Sequence, residues 1–281
     1  MLFLGLTRPT PASRRVATDY GTSRGFNYPA EHVGATRHCP PAPSSSSSSS
    51  SPSSPSSSSK SSTAAASDKA PAVPKSPPRS DDGGKSGGGG GLRVPSVPYA
   101  TDRNFTRVGT GRDDFASAKG LLQRWGHFQL GWSEVDEATG TGRGDEVCVC
   151  ANILGVWIRN PLQIVYNEQG VGAGGAVASN NEGGASRSGS NGGKCVERFA
   201  FAHGCLEGHM LAGEESFVLE RREDDSVWYG VNTFSRPAHP LAFLGYPAVR
   251  LLQWKFAQDS MRVMRGGMEE ARKKKNKKQK K

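Results

Sequence analysis

The chain has 281 residues, of which 35% are hydrophobic, with 36 glycines and long serine runs, so its length would allow two domains but its composition supplies core for only one. The formal charge of +10 points to a nucleic-acid or membrane partner until its distribution is considered: eight of the positive charges lie in the closing RKKKNKKQKK, and removing those eight leaves +2. Five cysteines, odd in number, scattered and without a secretory signal ahead of them, exclude a disulfide framework and imply reduced, intracellular thiols.

At the amino terminus, MLFLGL is too short an apolar run, and lacks the basic residues, for a signal peptide, and no window approaches a transmembrane helix. Arg8, Arg14 and Arg15, with no acid up to Thr18, faintly resemble an organelle transit peptide; residues 1–25 read as a flexible terminus. Residues 40–103, with SSSSSSSS, PPRSDDGG and GGGGG, offer almost no apolar surface to offset the entropy of ordering and are expected to form a disordered insertion. A second insertion of the same kind covers 170–193, GVGAGGAVASNNEGGASRSGSNGG.

Between the insertions, RDDFASAKGLLQRW places Phe115, Ala118, Leu121, Leu122 and Trp125 at helical spacing behind Asp113 and Asp114, which suit a helix amino terminus. EVCVCAN, LQIVYN, VERFAFAH, ESFVLERR and SVWYGVNTF then have strand character. The last two form a hairpin around EDD or DDS, with Val227, Tyr229 and Val231 on the face opposite Trp228, Gly230 and Asn232. A long helix is predicted from about Pro247, with Leu241, Val249, Leu252, Phe256 and Val263 near one face. Gly266 and Gly267 are expected to stop it, leaving 269–281 as a basic tail and 26–268 as the single domain. Consecutive strands, short connections and a closing helix imply an α+β fold in which a curved antiparallel sheet packs on the carboxy-terminal helix, and the space between them is the default place for a ligand.

FNYPAEHVGATR, RVGTGRDDFASAKGLLQRW, NPLQIVY, FAFAHGCLEGHMLAGEESFVLE and SVWYGVNTFSRPAHPLAFLGYPAVRLLQ, in that order from Phe26 to about Met264, together resemble the DUF1990 family, a domain family without an assigned function. The resemblance implies a helix-grip architecture of the Bet v 1 and START type, whose members bind apolar small molecules or lipids. It also implies that FNYPAEHVGATR belongs to the folded domain. Some plant relatives with a similar MLFLGL-like start are associated with the plastid outer envelope, which makes that membrane or the cytoplasm the expected location. This chain departs from the family at Ala202, His203 and Cys205, where relatives more often carry Tyr-Gly-Thr, so these side chains are set aside as essential residues. Gly204, Gly208, His209, Gly213, Glu214 and Glu215 match the family pattern.

HGCLEGHMLAGEESF holds His203, Cys205, His209 and Glu214, residue types that bind zinc, but the spacing is not a metal-binding one and the glycines indicate a turn; no metal or other cofactor is expected. Glu214 and Glu215 would point to opposite faces of a strand. Cys148 and Cys150 share a strand face and read as small core residues. GTGRDD lacks the glycine pattern and lysine of a phosphate loop, and its aspartates would repel phosphate. Arg236 suits either an anionic headgroup or a carboxylate such as Glu214 or Glu215. The expected function is a non-enzymatic module binding an apolar or lipid-like molecule, with His209, Glu214, Glu215 and Arg236 as polar contacts and Trp228, Tyr229, Phe234, Leu252 and Phe256 as walls. The alternatives are an envelope-associated protein that forms an ion pathway and an enzyme using His209 and Glu214 as acid and base. The basic tail suits an anionic membrane surface and, having no interleaved aromatics, no specific nucleic acid.

Overall fold

The computed structural model of the protein describes residues 1–38, 97–171 and 194–279. Its elements in chain order are β1 (Leu4–Gly5), α1 (Pro11–Thr22), β2 (Ala100–Thr110), α2 (Gly111–Gln123), β3 (Ser133–Glu134), β4 (Glu146–Ile153), β5 (Val156–Val171), β6 (Cys195–Cys205), β7 (Leu211–Arg222), β8 (Ser226–Pro237), α3 (Pro240–Leu244) and α4 (Tyr246–Gln279). The strands form one antiparallel sheet in the order β2-β8-β7-β6-β5-β4-β3, with β1 added against β5. This is the expected α+β fold: a curved sheet gripping a long carboxy-terminal helix.

The β7–β8 hairpin follows from its turn, in which Asp225 takes the left-handed conformation (φ 59°) and Asp224 Oδ1 accepts from the Ser226 amide at 3.0 Å. The register of β5 against β6 shifts between Ile164 and Tyr166, so Ile164 joins the inner core while Val165 and Tyr166 join an outer one. Phe115, Ala118 and Leu122 of α2 pack on that inner face with Trp125, as their spacing predicted. So do Phe256, Met261, Met264 and Met268 of α4, each burial contributing roughly 1.5–3 kcal/mol.

Both faces of the sheet are covered, which the sequence reading did not anticipate. Residues 1–25 are not a loose terminus: α1 begins at Pro11 behind the Thr10 cap, and Phe3 and Ala17 are buried against Cys148 and Cys150 on the outer face. The close approach of α1 depends on Gly21, where a Cβ would lie 2.9 Å from both Leu206 Cβ and Pro161 Cβ. The helical signal was weak because α1 is mostly polar and its few apolar residues do not share one face, Ala17 being buried and Val16 exposed.

Three further boundaries differ from expectation. Ala100–Arg103 belong to β2 rather than to the first insertion, residues 97–99 lead into it with Tyr99 packed on Phe234, and Gly170 and Val171 belong to β5 rather than to the second insertion; the remainder of both insertions lies outside the described residues. Leu241 lies on the separate α3, half exposed, and not on the apolar face of α4. Gly266 and Gly267 do not end α4, which runs on to Gln279. The reason is packing: Met268 is buried, a Cβ on Gly267 would meet Leu121 Cδ2 at 2.6 Å, and the segment expected as a free tail docks on α2. Arg272 bonds Asp114 Oδ2 at 2.9 Å and the Val108 carbonyl at 2.6 Å, and Lys275 pairs with Asp113.

Gly266 is exposed inside α4 with nothing within 4 Å of an added Cβ. Gly266→Ala should therefore raise unfolding stability by about 0.5–1 kcal/mol in urea denaturation. An unchanged midpoint would place the end of the helix at the glycines.

Candidate functional site

Two-residue alternation sorts the side chains of β6, β7 and β8. Phe201, His203, Cys205, Glu215, Phe217, Tyr229, Val231, Thr233 and Ser235 face α2 and α4 on the inside of the sheet. Ala202, Val218, Glu214, Phe234 and Arg236 face outward, toward the amino-terminal segment.

Where α4 begins, the inner face and the helix do not close on each other, and a cavity of about 210 Å³ remains. Its walls are mostly apolar: Val149 and Ile153 of β4, Ile158 and Leu162 of β5, Val249, Leu252 and Phe256 of α4, and Phe128 and Trp132 from the connection before β3. Drug-sized pockets usually measure roughly 300–1,000 Å³, so this one suits a small molecule or one end of a longer one.

A small polar set interrupts the apolar wall. His203 Nε2 and Glu215 Oε2 lie 3.2 Å apart across the β6–β7 ladder. Gln253 donates to Ser235 Oγ at 2.8 Å, and Trp132 Nε1 donates to Asp259 Oδ2 at 3.0 Å. His209 Nδ1 accepts from the Leu211 amide at 2.9 Å; burial, then the nearby His203, push its pKa down to about 3. Behind the cavity His127 is fully buried, its ring stacked on Trp125 and 4.3 Å from the Phe217 centroid. Neither His127 ring nitrogen has a hydrogen-bond partner among the described residues, and burial followed by His203 holds its pKa well below the usual histidine value.

His209, Glu215, Leu252 and Phe256 line the cavity as expected from the sequence. Tyr229 is on the inner face but belongs to the core, its hydroxyl 2.7 Å from Ser260 Oγ. Of the other four expected contacts, Trp228, Phe234 and Arg236 sit elsewhere and Glu214 borders the cavity with its carboxylate turned away from it, because strand parity points all four side chains outward. Glu214, only 2% exposed, accepts from the Tyr28 hydroxyl (2.8 Å), the Gly34 amide (2.5 Å) and Thr36 Oγ1 (3.0 Å), so its carboxylate anchors residues 28–36 to the outer face. Phe234 packs edge-on against Tyr28 and Tyr99, and Arg236 lies 4.7 Å from the Tyr99 ring centroid. Trp228 is at the far end of the sheet, beneath Arg222. With Glu214 facing outward and His209 facing the cavity, the two do not form an acid/base pair.

Sequence reasoning missed His203, Gln253 and Ser235. For His203 the signal was present, since it lies two residues beyond Phe201 and directly across from Glu215. Gln253 and Ser235 required knowing which face of α4 meets β8. Cys148 and Cys150 have Sγ atoms 3.8 Å apart under α1, in a packing role. Among the described residues, no three His, Cys, Asp or Glu side chains converge as metal ligands.

A curled antiparallel sheet, a gripping carboxy-terminal helix and a cavity between them define a helix-grip protein. Residues 89–263 match the family described as "Domain of unknown function (DUF1990)", and the chain belongs to that family. FNYPAEHVGATR lies ahead of the matched stretch although it packs on the sheet. The chain is 39% identical over 153 residues to the UPF0548 protein At2g17695 of Arabidopsis thaliana, an overlap of 54% of this chain and 65% of that one. With a UPF0548 protein of Dictyostelium discoideum it shares 29% identity over 174 residues, 59% of this chain and 71% of the relative. The chain thus spans about two thirds of the length of these relatives. Among solved structures, TTHA0849 from Thermus thermophilus aligns with a TM-score of 0.37 at 11% identity, over 62% of this chain and 99% of that one. Ara h 8.0201 aligns at 0.33 and 12%, over 59% and 97%. Neither likeness is close enough to inform the site.

His127 and His209 both have folded-state pKa values below the ordinary 6.5, so below that pH the unfolded chain binds more protons than the native one. Stability should fall as pH drops from about 6.5 toward about 3, by at most about 1.4 kcal/mol per pH unit for each histidine. In urea titrations across this range, His127→Phe should show a shallower decline than the parent. Parallel declines would mean that His127 is not held neutral.

Proposed function

We propose that the protein is a non-enzymatic binding module that holds an apolar or lipid-like small molecule between the sheet and α4. The supporting observation is the cavity itself: a well-packed core closes such gaps, yet here apolar side chains from β4, β5 and α4 surround open space. The polar contacts of this reading are His203, Glu215, His209 and Gln253. Native mass spectrometry of the purified full chain, with and without incubation in a lipid extract, tests it. A bound organic mass is expected, and it should be lost in Leu252→Trp, which fills the cavity from α4. Bare polypeptide mass under both conditions would overturn the reading.

A second element is contact with an anionic membrane surface. Lys273, Lys274, Lys277 and Lys278 are exposed on the last turns of α4, beyond the docked Arg272. Near an anionic surface each contributes roughly 1 kcal/mol. No helix among the described residues is long and apolar enough to cross a membrane, so this contact would be peripheral. Vesicles containing phosphatidylserine should co-sediment the full chain and release it as salt rises. A variant with these four lysines changed to Gln should bind much more weakly, and equal binding would rule out the helix end as the contact.

A further inference from the structure

The charge of the cavity narrows the kind of molecule it takes. Among the described lining residues there is no Lys or Arg, and the charged group that faces the space from the inner side of β7 is the Glu215 carboxylate. With Glu215 as a carboxylate, its partner His203 at 3.2 Å leaves the pair neutral if charged and negative if not. His209 is held neutral by burial. The cations of this part of α4 have other partners: Arg250 grips Asp102 at 2.6 and 2.7 Å and donates to Gln253 Oε1 at 2.9 Å, while Lys255 and Arg262 pair with Asp259.

A carboxylate or phosphate head entering this space would be desolvated beside Glu215 without a compensating cation, an arrangement disfavoured twice, by lost hydration and by like-charge repulsion. A hydroxyl meets neither obstacle. It can donate to Glu215 and accept from Gln253, while its carbon skeleton lies along Val149, Ile158, Leu252 and Phe256.

We infer that the cavity selects neutral apolar alcohols over the corresponding carboxylates, with Glu215 as the residue that sets the discrimination. This rests on the binding role proposed above and adds the chemistry of the ligand head. Isothermal titration at neutral pH of the full chain with n-octanol and with octanoate, probes that share a chain length and differ in the head, tests it. Octanol is expected to bind at least about tenfold more tightly than octanoate. Glu215→Gln, which keeps the shape and a hydrogen-bonding partner for His203 but removes the charge, should narrow that ratio mainly by strengthening octanoate. Leu252→Trp should abolish both, which separates the cavity from surface adsorption. Equal binding of the two probes, or tighter octanoate, would overturn the inference while leaving the binding role standing. An unchanged ratio in Glu215→Gln would remove Glu215 as its cause. Binding of neither probe would count against the cavity as a binding site and end the inference with it.

Discussion

A strand turns alternate side chains to opposite faces, so a sheet with both faces covered needs two sets of partners, and most of this structure follows from how they are supplied. The inner set of β6, β7 and β8 is aromatic and aliphatic and packs against α2 and α4. The outer set is small on β6, with Ala200, Ala202 and Gly204, and polar beside it on β7, with Ser216 and Glu214. Small residues let another chain segment approach closely. A Cβ on Gly204 would lie 2.2 Å from the Tyr28 hydroxyl, so the amino-terminal segment sits where it does because that position has no side chain.

Glu214 belongs to this outer layer. A buried carboxylate without partners is costly, and here the hydrogen bonds come from Tyr28, Gly34 and Thr36, with Tyr166 bonded in turn to Thr36 Oγ1 at 2.9 Å. Burial, then the neighbouring Glu214 charge, drive the Tyr28 pKa far upward, so the phenol stays a donor at any physiological pH. Two adjacent glutamates therefore have different roles: Glu214 fastens the outer cover, and Glu215 is the polar group of the inner cavity.

The cavity has a packing origin of its own. Toward its carboxy-terminal end α4 meets the sheet and α2 with Met261, Met264 and Met268, flexible side chains that fill the available space, and Gly267 allows close contact with Leu121. Near its start the helix presents Val249, Leu252 and Gln253 across from the smaller Ala151, Thr233 and Ser235, and the two surfaces do not close. The ion pairs from Arg272 and Lys275 to Asp114 and Asp113 lie at the closed end, where acids at the amino terminus of α2 also suit its helix dipole.

Local pattern was enough to determine the α+β class, the β7–β8 hairpin and α2, because period and turn chemistry are short-range properties. It also contained more about the site than composition suggests: alternation alone forbids Trp228 and Tyr229, or Glu214 and Glu215, from pointing their side chains into one space. Which parity faces inward, however, depends on where α4 packs, and that is decided by contacts far apart in sequence. The same holds for α1, whose few apolar residues carry a weak signal until Cys148 and Cys150 are placed beneath them. It holds too for Gly266 and Gly267, which taken locally look like a helix stop and in the fold lie inside α4, where Gly267 permits close contact with Leu121 of α2. The sequence by itself determined the elements and the alternation along them. Only the tertiary structure decided which face became the cavity, since that follows from the mismatch in side-chain size between one end of α4 and the strands across from it.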